Sequence, residues 1–322
     1  MNPTTTQLHV NTPLTNFSLM FMQDTDAFVA SKVFPTVPVA HKSDTFYKFN
    51  RGDFNRIAVK ERAAGAESNG AGFTISVATP FMAKVFAIHK DIADQERGNA
   101  DNQIDLDFAT TQFLTNQMLL DQETRWTNTY FKTGVWTNEI TPSTLWSSTN
   151  STPIEDVRTL KRNIQLTAGG YRPNTLVLGR AVYDTLLDHP EIVARVQYAV
   201  KQQGDAATVA KNTLAQLFEL DDVLVMDGIS NAAAENAVES NVFVAGKHGL
   251  LLYVPKGAPT LNTVAAGLTF AWTGQFGSTA AGTRMLSIPM PWLASTRIEA
   301  EAAYAQHLVS SDLGGMILGA IA

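Results

Sequence analysis

Apolar residues recur at three- and four-residue spacing between Gln103 and Lys132, a stretch that contains neither glycine nor proline and is bounded by Gly98 and Gly134. Ile104, Phe108, Thr111, Thr115, Met118/Leu119, Gln122, Trp126 and Tyr130 fall on one face, which predicts a single long helix. Asp101 is placed to cap it, and Asp105 and Asp107 sit where the helix dipole favours negative charge. At 1.5 Å per residue such a helix is a rod of about 45 Å, long enough to brace an elongated subunit. Its tryptophan and methionine stripe reads as core, because no haem or metal ligand shares the face.

Upstream the pattern changes to alternation. Thr45–Phe49 predicts one arm of a β ribbon, and Phe73–Ala78, continuing through Val85–Ile88, predicts the other. Between them Arg62–Gly72 forms a small, glycine-bearing tip. Arms of about 15 residues would carry the ribbon on the order of 50 Å. A two-stranded hairpin is marginal by itself in water, so the ribbon must lie on its own body or on a neighbour's. Residues 1–40 carry scattered anchors (Phe17, Leu19, Met20, Phe21, Met22, Phe28, Val29, Val33, Phe34) interrupted by Pro3, Pro13, Pro35 and Pro38. They read as an arm that lies across another surface or docks locally on its own domain.

Downstream, a polar linker from Thr137 to Thr152 leads to a helix opened by Thr152-Pro153-Ile154-Glu155 and stopped by Gly169-Gly170. A strand at Thr175–Leu178 follows, then a short helix at Ala181–Leu187 ended by His189-Pro190. Further helices run from Glu191 toward Gln203 and from Thr208 to Leu220. Val223–Met226, Val242–Ala245 and Leu250–Val254 read as core strands, which makes 153–260 a compact α+β or α/β unit. Leu268–Trp272 and Arg284–His307 predict strands returning to the body that carries the long helix.

Composition narrows the classes. Of 322 residues 45% are hydrophobic, 17% are charged and none is cysteine, which excludes a disordered chain and a disulfide scaffold. The charged fraction lies below the roughly 25% usual for soluble domains and suits extensive contact with other protein. No signal pattern opens the chain, so a cytoplasmic protein is expected, and no apolar run reaches the length of a membrane span. The net charge of −6 argues against wrapping nucleic acid over the whole surface. From Lys42 to Arg62 six basic residues face three acidic ones, a local +3 that leaves −9 for the rest. A positive projection and a negative body are complementary between copies of one protein, although a solvated charge run is the plain alternative.

Motifs of catalysis are missing. The six histidines are scattered without zinc-site spacing, and no nucleophile elbow, phosphate loop or dinucleotide fingerprint is present. Gly246-Lys247-His248-Gly249 reads as a hairpin turn. Asp221, Asp222 and Asp227 flank a predicted strand and support the one enzymatic reading, a cytoplasmic hydrolase, against a solvated loop. No catalytic, cofactor-binding or metal-binding residue is assigned.

The order of parts, with Val33-Phe34-Pro35-Thr36-Val37-Pro38-Val39 before Phe46-Tyr47-Lys48-Phe49, and Gly170–Gly179 leading into the central unit, resembles the major capsid proteins of tailed bacteriophages, the Hong Kong 97-type fold. The resemblance implies an α+β chain with an N-terminal arm (1–40), an extended β-hairpin loop (41–90), a peripheral domain with its spine helix (91–152), an axial domain (153–260), and returning strands with the C-terminal segment of the peripheral domain (261–322). It implies a non-enzymatic structural protein that self-assembles, as hexamers and pentamers, into the icosahedral shell around a double-stranded DNA genome. It needs no cofactor or membrane and does not bind the DNA sequence-specifically. Because Met1 leads straight into the arm, a separate scaffolding protein is expected. A portal protein is a further partner, and the resemblance leaves room for a decoration protein. Its place would be the virion capsid, assembled in the host bacterial cytoplasm. An encapsulin-like nanocompartment shell is the alternative. Inter-subunit contact is expected at Phe34, Lys42, Phe46, Lys48, Arg51, Arg56, Lys60 and Arg62.

Overall fold

The computed structural model describes residues 23–45, 47–77, 79–99, 106–200, 211–234, 237–261, 263–276 and 282–322. In chain order they form α1 (Ala30–Val33), β1 (Thr36–Val39), β2 (Ser43–Asp44), β3 (Tyr47–Phe49), α2 (Arg51–Phe54), β4 (Ile75–Val77), β5 (Phe81–Met82), β6 (Lys84–Ala93), α3 (Asp94–Asn99), α4 (Leu106–Tyr130), β7 (Asn138–Ile140) and α5 (Pro153–Thr167). There follow β8 (Thr175–Gly179), α6 (Arg180–Leu187), α7 (Pro190–Val200), α8 (Lys211–Leu217), β9 (Asp222–Met226), β10 (Ile229–Asn231), β11 (Asn241–Phe243), β12 (Gly249–Leu252), β13 (Gly267–Trp272), α9 (Thr273–Phe276), β14 (Thr283–Met290), β15 (Ser295–Leu308) and β16 (Gly314–Ile317).

Two sheets organise the body. In the first, β15 is the central strand: β6 pairs along one side of it, β14 and then β13 along the other, and β1 adds in parallel outside β13. The second has the order β7-β16-β12-β8-β9. Every residue of β8, Thr-Leu-Val-Leu-Gly, is buried, as expected for a strand covered on both faces. One cover is α5, which sends Val157, Leu160 and Ile164 into the core. That helix begins with Pro153 in its first turn but without a side-chain bond from Thr152, so the expected capping threonine acts only through its carbonyl. It ends where Gly169 and Gly170 take φ of +71° and +104°, a region open to glycine at no steric cost.

The long helix α4 forms where the sequence predicts it, and Asp101, Ile104 and Asp105 lie outside the described residues. Its buried face differs in the first half. Phe108 is exposed, while Thr110 and Leu114 turn inward, Leu114 meeting Ile92, Ile298 and Ala300 of the first sheet. In the second half Trp126 and Tyr130 enter the core of the second sheet. The helix therefore ties the two bodies together.

Two more expectations are corrected. β6 does not extend the ribbon; it leaves it and pairs with β15 from Lys84↔Tyr304 to Ala93↔Ser295. The chain's end is also divided: β13, β14 and β15 return to the sheet beside the long helix, whereas β16 inserts between β7 and β12 in the other sheet.

Candidate assembly surface

What remains of the ribbon is two short paired steps, β2 with β5 and β3 with β4, and then an irregular excursion. Its root is built. Asn50 caps the single turn of α2 by accepting Gly52 N–H at 3.2 Å, and Asp53 reaches across to accept Thr74 N–H at 2.9 Å. Arg51 donates to the carbonyl of Thr167 and pairs with Asp312, which fastens the root to the end of α5. Asn55 rests against Gly169, where a Cβ would come within 2.9 Å of its amide nitrogen.

Beyond the root the chain leaves the body. Phe54 and Phe73 pair with ring centroids 5.7 Å apart yet stay 62% and 59% exposed. Ile57 and Val59 are 93% and 90% exposed. The excursion is crossed by Asn69 Nδ2 donating to Ala58 O at 2.6 Å and closed by Arg62 donating to Ala66 O. Among the described residues Arg56, Lys60 and Arg62 form no salt bridge, and all three are exposed. An apolar pair nearly bare to water, interleaved with cations, is a surface arranged for protein contact.

The eight expected contact residues are thus divided. Arg56, Lys60 and Arg62 share the excursion. Lys42 sits at the ribbon's start, its ammonium 5.9 Å over the Trp272 ring. Lys48 lies on β3, and Phe46 lies outside the described residues. Arg51 is spent on the subunit's own body. Phe34 is a correction: it is fully buried, packed edge-on to Trp126 at 5.6 Å and against Tyr130 at 4.9 Å, so it is core.

The acidic trio does not converge. Asp221 and Asp227 flank opposite ends of β9 (Asp222–Met226), about 20 Å apart at the rise of a strand. Asp221 pairs with Lys256 at 2.8 Å, and the lysine with the Asn174 amide holds its carboxyl below the usual range. Asp227 faces Arg180 at 3.4 Å. Among the described residues no cluster of three or more metal-ligating side chains occurs. No described helix is long and apolar enough to cross a membrane.

One constellation with catalytic looks escaped the sequence, because its members lie 38 positions apart: Ser151 Oγ and His189 Nε2 are 2.8 Å apart and buried. His189 Nδ1 accepts the Glu191 N–H at 3.2 Å, which places the ring proton on Nε2. That nitrogen donates to Ser151, whose own proton goes to Ser148 O at 2.7 Å. A ring so committed cannot take the serine's proton. The pair fastens the start of α7 to the loop before α5.

Two sheets bridged by one long helix, with a projecting basic ribbon, define a Hong Kong 97-type shell subunit. Residues 103–264 match the family model described as phage major capsid protein E, and the chain belongs to that family. It is 25% identical over 258 residues to the major capsid protein of Burkholderia phage BcepMu, with 76% of each chain covered. A phage-related protein from Bordetella bronchiseptica superposes with a TM-score of 0.69 at 20% identity, covering 92% of this chain and 94% of that one. The capsid of Myoviridae phage XM1 gives a TM-score of 0.56 at 10% identity over 98% of both chains. The chain is a structural protein of a bacteriophage's icosahedral shell, and its place is the virion capsid.

Proposed function

We propose that the subunit assembles by laying its ribbon across a neighbouring copy, in hexamers and pentamers that enclose double-stranded DNA. The observation that carries this reading is the excursion itself, where Ile57 and Val59 stand exposed between Arg56, Lys60 and Arg62 with no body beneath them. Each contact is weak, but closure of a shell repeats it many times. The role is non-enzymatic. The net charge of −6 suits a container whose inner surface holds its genome loosely and without regard to sequence. A scaffolding protein, a portal and a decoration protein complete the proposed set of partners, with assembly in the host cytoplasm.

Replacing residues 56–72 by a short glycine-containing turn spares Arg51 and Asn55. Helical circular dichroism is expected to stay unchanged while closed particles disappear from negative-stain images. Particles of normal size and yield would overturn the reading. Nuclease-protected DNA inside purified particles supports the virion, and a tethered enzyme cargo would instead support a compartment.

A further inference from the structure

The chain has a single Asn-Gly step, Asn69-Gly70, and it lies on the excursion that leaves the body. Both residues are exposed. A Cβ built on Gly70 would meet nothing within 4 Å, and without one nothing shields its backbone nitrogen. Among the described residues the Asn69 side chain makes one hydrogen bond, Nδ2 donating to Ala58 O at 2.6 Å.

Other asparagines are held more firmly. The Asn174 amide donates to Val254 O and accepts Val254 N–H, both at 2.8 Å, and the buried, β-branched Thr175 follows it. Asn231 Oδ1 accepts the N–H groups of Ala233 and Ser240, each at 3.0 Å. Neither side chain can turn its carbonyl carbon to the next backbone nitrogen without giving up these bonds. At Asn69 the cost is one neutral hydrogen bond in water, a restraint of no more than about tenfold in rate.

We propose that Asn69-Gly70 is a self-modification site, where the asparagine loses its amide through a cyclic imide and becomes aspartate or isoaspartate. The Gly70 nitrogen attacks Asn69 Cγ. As the N–Cγ bond forms, Cγ–Nδ2 breaks, and Nδ2 leaves as ammonia, taking through water the proton that the Gly70 nitrogen gives up. Water then adds to either imide carbonyl and opens the ring. The product has no side-chain N–H for Ala58 O, so the tie across the excursion is lost. Residues 56–72 hold three basic side chains against two acidic ones, so the new carboxylate takes their charge from +1 to zero. Resting on the assembly reading, this means that a free subunit loses its assembly surface with age.

Purified full-length subunits kept too dilute to assemble, aged over days in mildly alkaline buffer, then digested and read by mass spectrometry, test this. The peptide spanning residue 69 is expected to gain the mass of exchanging NH2 for OH, at a rate within about tenfold of that of a free peptide of residues 66–72. Gly70→Ala places a methyl in open space and should convert at least about tenfold more slowly. Asn69→Gln keeps the donor, but its longer arm closes a larger, slower-forming ring, and it should hold its mass. An unchanged mass at residue 69 while the free peptide converts fully, conversion that falls mainly on other asparagines, or a Gly70→Ala chain that ages as fast as wild type each overturns the proposal. In light scattering at low salt, aged wild type and fresh Asn69→Asp should assemble severalfold more slowly than fresh wild type and Asn69→Gln. Equal rates in all four would overturn the loss of surface. Closed particles from the chain with 56–72 replaced would instead defeat the assembly reading alone, because the mass at residue 69 is read on the free subunit.

Discussion

Gly267 lacks a side chain because Phe34 occupies the space. A Cβ there would lie 2.2 to 2.5 Å from three atoms of the ring, which Trp126 and Tyr130 hold from the other side. Gly267→Ala is therefore expected to lose about 1–3 kcal/mol in urea unfolding of the subunit, the usual cost of overpacking a filled core. Phe34→Ala alone should lose about 3–5 kcal/mol. The double variant should lose clearly less than the two losses added, because the cavity left by the ring admits the new methyl. Strict additivity would mean that ring and glycine are not in contact. Phe34 also shows what a sequence withholds at this scale. An aromatic among prolines looks the same whether it anchors to a neighbour or to its own chain, and its packing partners, Trp126, Tyr130 and Gly267, lie about a hundred or more positions away. Glu123 is equally silent: it is buried on α4, where its carboxylate accepts the N–H of Val29 and of Ala30. A glutamate in a long polar helix carries no mark of burial, since its partners are backbone N–H groups that any residues could supply.

At the scale of elements, what was legible depended on the range of the interactions. The long helix could be read because its signals are local: no glycine or proline from Gln103 to Lys132 and turns on both sides. The buried face of its first half could not. Thr110 and Leu114 win over Phe108 because of where β6 and β15 happen to lie. The same limit explains β6. Val85–Ile88 alternate as a ribbon strand would, but their partners are Ala300–Ala303, more than two hundred residues on. Nor could the sequence reveal how the ribbon is anchored, since Arg51, Thr167 and Asp312 come from three separate stretches. Arg51→Ala leaves a half-buried carboxylate and a carbonyl without their donor, and should raise hydrogen exchange in 47–55 and 165–170 while the distant β12 stays protected. Arg51→Lys is not expected to restore protection, because one ammonium does not reproduce a planar fork that reaches both acceptors. Full protection in the lysine variant would reduce the anchor to simple charge.

For the whole molecule the decisive quantity is the distribution of charge. A net −6 conceals a stretch at +3 and a remainder at −9, and three of the stretch's cations, Arg56, Lys60 and Arg62, stand exposed on the excursion. Within one subunit this separation has little to gain, since Arg56, Lys60 and Arg62 meet no acid among the described residues. Between copies it favours one orientation, positive ribbon over negative body, and disfavours ribbon on ribbon or body on body. Such attraction acts over a Debye length, about 10 Å at 0.1 M salt and about 3 Å at 1 M, so it guides encounter in dilute salt and fades in concentrated salt. The triple reversal Arg56→Glu, Lys60→Glu and Arg62→Glu is therefore expected to slow assembly, followed by light scattering, severely at low ionic strength and only mildly near 1 M. Arg51 is left in place so that the root and the monomer's circular dichroism are preserved. A deficit of equal size at every salt concentration would show that these side chains act by shape or packing rather than charge. In that case the exposed Ile57 and Val59 would account for the contact by themselves, and Ile57→Ser with Val59→Ser should then reproduce the whole defect.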